Sequence, residues 1–167
     1  MTYPSRMMRR QGFTLVELVV VVMVLGILAG AATGRILDAG EEARRRTLRT
    51  SVDAIITVVE IRTAQRGGEL PTGLPQQWFS GGKYPENPYN TFGVPALHRV
   101  DRPGGEHPLN AVLNAGSAGA FWYNAANGVV RARVPAQGSR AATTALYCEV
   151  NGINTSDAAE SAVAAGG

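Results

Sequence analysis

Apolar positions are spread unevenly along this chain. Residues 13–32, FTLVELVVVVMVLGILAGAA, carry a single charge in twenty positions. A helix needs about 20 apolar residues to cross a bilayer core about 30 Å thick, so this run predicts a membrane-spanning helix. Beyond Gly34 the pattern changes. Residues 38–66 are rich in helix formers, and Leu48, Val52, Ile55, Ile56 and Val59 recur at the i, i+4, i+7 spacing of an apolar stripe on an otherwise polar helix. Gly67-Gly68 supplies a natural C-cap. The two patterns join into one helix over residues 13–66, roughly 80 Å long if straight at about 1.5 Å per residue.

The remainder reads as a small domain packed on that stripe. Gly, Pro and Asn punctuate residues 67–119 too densely for a long element. Two strands, 120–123 and 129–134, flank Asn124-Ala125-Ala126-Asn127-Gly128 and predict a hairpin. In the second strand Val130, Ala132 and Val134 alternate with Arg131 and Arg133, which predicts one buried and one wet face. Residues 143–150, TTALYCEV, read as a third strand closed by Asn151-Gly152. The fold class expected is α+β, a long N-terminal helix packed on a small antiparallel β-meander. The tail 155–167 is mostly Ala, Gly and Ser and is expected to be disordered.

Composition changes this picture in two places. The formal charge of +3 invites an acidic partner such as nucleic acid. However, Arg6, Arg9 and Arg10 all precede Gly12, which leaves 13 basic residues against 13 acidic ones in the rest of the chain. Basic and aromatic residues do not interleave as a single-strand groove requires, so no nucleic acid partner is expected. The lone Cys148 excludes an intramolecular disulfide and reads as a buried apolar residue on a strand.

The one acid in the apolar run, Glu17, is out of place. Centring a carboxylate in a membrane helix costs roughly 2.5–3.5 kcal/mol, which makes an intramembrane acid a functional candidate. Three arginines directly before the run hold residues 1–12 in the cytoplasm by the positive-inside rule.

Arg9-Arg10-Gln11-Gly12 followed by Phe13-Thr14-Leu15-Val16-Glu17 resembles the N-terminal signal of type IV pilins and type II secretion pseudopilins. The resemblance implies a pilin-like, lollipop-shaped fold with a transmembrane half and an amphipathic half in the long helix. It implies a leader peptide, residues 1–12, cut after Gly12 by a prepilin peptidase that N-methylates Phe13. It also implies a transmembrane and polymerisation helix over 13–34 and a globular domain over 35–154. Glu17 then becomes the residue of assembly into a homopolymer with other pilin-like subunits, driven from an inner-membrane platform. Leu70-Pro71-Thr72 and Asn87-Pro88-Tyr89 are similar to loops of major pseudopilins, and the absence of a possible disulfide leans the same way.

The chemistry agrees with this. Gly12 lets a protease approach its carbonyl and interrupts the helix. Cleavage there creates a positive amine, which Glu17 can neutralise from one turn away or from a neighbouring subunit. Gly26, Gly30 and Gly34 form a small-xxx-small face suited to close helix packing, or to nothing more than lipid contact. The charged run from Glu41 to Arg49 reads as a solvated face or as charge matching between subunits. Alternatives remain at this point: a secretory signal cut near Ala29-Gly30-Ala31, an uncut anchor with Glu17 snorkelling to the interface, or an exported anchored binding module that uses Trp78, Phe79, Tyr84 and Tyr89.

No catalytic constellation, cofactor or metal site is expected. His98 and His107 lack zinc-ligand spacing, and Asp101 and Glu106 lack the alternating acids of a calcium loop. Ser117, in AGSAG, lacks the first glycine and the strand–turn–helix setting of a nucleophile elbow.

Overall fold

The computed structural model describes residues 14–155, with the side-chain surroundings of residues 31–37 left aside. The chain divides into two compact units, Met1–Glu41 and Glu42–Gly167. One helix, α1 (Leu15–Gln65), contains the boundary between them. Its C-terminal end falls where Gly67 and Gly68 adopt positive φ, a left-handed geometry that only glycine takes without steric cost. The expected tail over 155–167 lies, beyond its first residue, outside the described residues.

In the N-terminal unit the large apolar side chains from Leu15 to Leu28 are all exposed, between 41% and 79%. Among the described residues no helix is long and apolar enough to cross a membrane. The span expected over 13–34 takes in Phe13, outside the described residues, and positions 31–34, of which the backbone alone is described.

The C-terminal unit holds the core. Leu48, Val52, Ile55 and Val59 of α1 are buried together with Leu74, Phe79, Tyr89, Phe121, Tyr123, Val130, Val134, Leu146 and Tyr147. The spacing of the four α1 residues is the predicted stripe, and they supply one wall of a single apolar cluster. The strands are β1 (Leu97–Val100), β2 (Phe121–Asn124) and β3 (Val130–Ala132), in the order β1-β2-β3. β2 and β3 form the predicted antiparallel hairpin, with Tyr123 opposite Val130. Gly128 at φ 77° donates to Asn124 O at 2.8 Å and closes the turn.

Three expectations are corrected. The sheet is mixed rather than an antiparallel meander, because β1, within the segment read as loop, pairs parallel to β2. Residues 143–150 are not a strand. They lie in a helix, α2 (Arg140–Asn151), capped by Ser139, whose Oγ accepts from Ala142 N at 3.1 Å, and ended by Gly152 at φ 63°. Cys148 is therefore buried on a helix, not on a strand. Finally, Arg133 does not face water. It is 5% exposed and donates to the carbonyls of Asn110 (2.9 Å) and Gly119 and to His98 Nδ1.

Candidate functional site

The start of α1 is a reciprocal cap. Thr14 precedes the helix as its N-cap, and Glu17 stands three residues on. The Thr14 backbone N–H and hydroxyl each donate to Glu17 Oε2 at 3.1 Å. The Glu17 backbone N–H is directed at Thr14 Oγ1 at 3.3 Å. Leu18 N donates to Thr14 O at 3.2 Å, the first turn of the helix. This is a capping box, in which two otherwise orphaned backbone donors are satisfied by two side chains. The signal was present in the sequence as Thr-x-x-Glu, and it assigns Thr14 a role that hydrophobic patterning alone misses. Among the described residues only Oε2 is engaged, and the exposed carboxylate stands at the positive end of the helix dipole.

The other residues predicted for this site divide into two groups. Arg9, Arg10, Gly12 and Phe13 lie outside the described residues. Gly26 and Gly30 are described, and a Cβ on either would meet nothing within 4 Å in its own chain. Neither glycine is demanded by intrachain packing. Gly34 falls among the residues whose side-chain surroundings are outside the description.

The polar residues considered for chemistry are used structurally instead. His98 Nδ1 accepts from the Arg133 guanidinium at 3.1 Å, and burial, then the charge of Arg133, lowers its pKa. His107 Nδ1 lies 3.2 Å from the Tyr147 hydroxyl, whose pKa burial raises strongly. Asp101 pairs with Arg99 at 3.7 Å. Ser117 Oγ donates to Val112 O at 3.2 Å and accepts from Asn114 N at 2.9 Å, which fixes a turn. Among the described residues no group of three or more His, Cys, Asp or Glu side chains could hold a metal ion.

The aromatic residues divide as well. Tyr84 donates to Leu74 O at 2.6 Å and packs on Phe79, and Asn87 donates to the carbonyl of Arg133 at 3.0 Å. These contacts anchor the loop 70–90 on the core. Trp78 is only half-buried, with the Arg62 guanidinium 4.6 Å over its ring.

Residues 7–33 match a family model described as the prokaryotic N-terminal methylation motif. The match takes in Gly12, Phe13, Thr14 and Glu17. The chain is 30% identical over 120 residues to the type II secretion system core protein G of Pseudomonas aeruginosa, covering 62% of this chain and 83% of that protein. It is 35% identical over 65 residues to the type IV narrow pilus major component PilA5 of Thermus thermophilus, covering 39% of this chain. The chain spans 55% of the length of that second relative. No solved structure matches it.

Proposed function

Because the chain belongs to the type IV pilin and type II secretion pseudopilin family, we propose that it is a structural subunit that polymerises through α1 into a filament. The supporting observation is the start of α1, a capped carboxylate at the head of a helix whose large apolar side chains from Leu15 to Leu28 lie uncovered. Twelve exposed large apolar side chains in this stretch of one helix demand a cover, first a bilayer and then the same helices of other subunits.

In this reading residues 1–12 are a cytoplasmic leader that a prepilin peptidase removes after Gly12, N-methylating Phe13. Residues 13–34 anchor the subunit in the inner membrane, and residues 35–154 form the domain on its outer side. The new amine at Phe13 pairs with the Glu17 carboxylate of a neighbouring copy. A copy out of register leaves both charges unpaired in an apolar bundle, which is a strong penalty against misassembly. Gly26, Gly30 and Gly34 let neighbouring helices approach. An assembly ATPase and an inner-membrane platform protein drive extraction of the subunit into the fibre. The 83% coverage of protein G, against 55% of PilA5, favours a pseudopilus of a type II secretion system over a pilus.

The test is the intact mass and N-terminal sequence of the protein recovered from membranes. A chain beginning at methylated Phe13 supports the reading; one beginning at Met1 or Ala32 overturns it in favour of an anchored or secreted module.

A further inference from the structure

Within the C-terminal unit, α1 and α2 enclose a charged cleft of about 230 Å³ lined by Glu42, Arg45, Arg46, Arg49, Glu149 and Val150. Three guanidinium groups meet two carboxylates there. Both carboxylates are engaged, Glu42 with Arg46 and Glu149 with Arg45 at 3.3 Å. Arg49 is left as a cation with no ion pair among the described residues.

One turn further along α1, Asp53 is exposed and its carboxylate has no ion pair among the described residues either. Arg49 and Asp53 stand at i and i+4, yet they do not pair within the chain. The order of charges accounts for this. An acid preceding a base by four residues is favoured by side-chain direction and the helix dipole, and the reverse order is weaker. Glu42 and Arg46 have the favourable order and pair; Arg49 and Asp53 have the other.

We propose that Asp53 of one copy enters this cleft on a second copy and pairs with its Arg49, so that this face of α1 is an interface between subunits. The inference rests on the filament reading above and names a second contact within it. The face is complementary to itself only when shifted. With two parallel helices level, Arg49 faces Arg49 and Asp53 faces Asp53, and like charges repel. With one copy advanced by four residues, about 6 Å at the rise of an α-helix, Arg49 of one meets Asp53 of the other. Glu60, eleven residues beyond Arg49, would demand a shift of about 16 Å. Arg49 is exposed at the cleft, so the pair is a surface contact and its contribution should fall as ionic strength rises.

The decisive experiment is cross-linking in filaments assembled from the full chain, with Cys148→Ala removing the native thiol. Arg49→Cys and Asp53→Cys are expressed separately and together. A disulfide-linked dimer in sheared filaments only when both variants are present is the expected result. Filaments that incorporate both variants but yield no dimer overturn the inference and leave the filament reading standing. If the unaltered chain forms no filaments under assembly conditions, both fail together. The charge exchange is independent of thiol chemistry. Arg49→Asp or Asp53→Arg alone should lower filament yield, and the two combined in one chain should restore it. Failure of the combined variant to recover, with its domain folded by circular dichroism, also rejects the pair.

Discussion

The Arg133 guanidinium donates to His98 Nδ1 at 3.1 Å, which ties β1 to the residue that follows β3. Arginine remains charged, so the imidazole nitrogen can accept this bond only while it is unprotonated. Burial and the nearby guanidinium both lower the His98 pKa in the folded chain. The unfolded chain therefore binds the proton more readily, and stability is fully present above the unfolded value. It falls as pH drops below about 6.5 and levels off once the folded value is passed. Thermal unfolding of the detergent-solubilised chain between about pH 7.5 and pH 5.5 should show a falling midpoint, and His98→Gln should flatten that dependence. An unchanged slope in the variant would assign the effect to another group.

The capping box separates two roles of Glu17. Glutamine can still accept from the Thr14 N–H, so Glu17→Gln retains most of the cap while removing the charge. Thr14→Val removes the hydroxyl cap and retains the charge, at a cost of about 0.5–2 kcal/mol to the helix start. Filament yield should collapse in Glu17→Gln and fall only partly in Thr14→Val. Equal losses would mean that Glu17 acts through helix capping alone.

The elements legible in the sequence were those governed by local chemistry. The stripe Leu48, Val52, Ile55 and Val59 and the glycine pair after α1 specify a helix and its end, and Asn127-Gly128 specifies a hairpin turn. The misread elements were decided by tertiary contacts. In 140–151 the β-branched and aromatic residues suggest a strand, yet Thr143, Leu146, Tyr147 and Val150 follow the 3, 4, 7 spacing of one helix face, with Ser139 and Gly152 as its caps. β1 is four residues long and pairs with a strand twenty residues away, so no turn announces it. Arg133 falls on the outward beat of an alternating strand but is covered by the loop containing Asn110 and Gly119. Of the candidate site, Glu17 was legible as a misplaced charge, and its partner Thr14 only as a capping pattern. Arg49, without an ion pair among the described residues, emerges only in a cleft that α2 completes.

Gly119 marks the closest approach within the sheet. A Cβ there would stand 2.6 Å from His98 N and 2.8 Å from the Leu97 carbonyl carbon, both backbone atoms that cannot swing aside. Gly119→Ala should push β1 from β2 and destabilise the domain by about 1–3 kcal/mol, the usual cost of forced overpacking. Gly116→Ala, where the nearest atom is 3.5 Å away on the Asn114 side chain, is the control and should leave the unfolding midpoint unchanged.

Asn151 finishes the sheet where a fourth strand is absent. Its side-chain Oδ1 accepts from Ala132 N at 2.7 Å, and its Nδ2 donates to Ala132 O at 3.1 Å. The amide thus copies the double hydrogen bond of a neighbouring strand on β3, and it also donates to Tyr147 O at 2.9 Å. Ala132 is wholly buried and Asn151 nearly so, which means that water is poorly placed to replace these bonds. Asn151→Ala leaves both Ala132 backbone groups unpartnered in the core, at about 1–3 kcal/mol for a buried group left unsatisfied. Asn151→Asp keeps the acceptor but sets a second oxygen against the Ala132 carbonyl, so its destabilisation should deepen as pH rises through the carboxylate range and ease in acid. Asn154→Ala, exposed beyond the cap of α2, should have no effect in the same unfolding measurement. A midpoint for Asn151→Ala equal to that of Asn154→Ala would mean that the edge of β3 needs no cap.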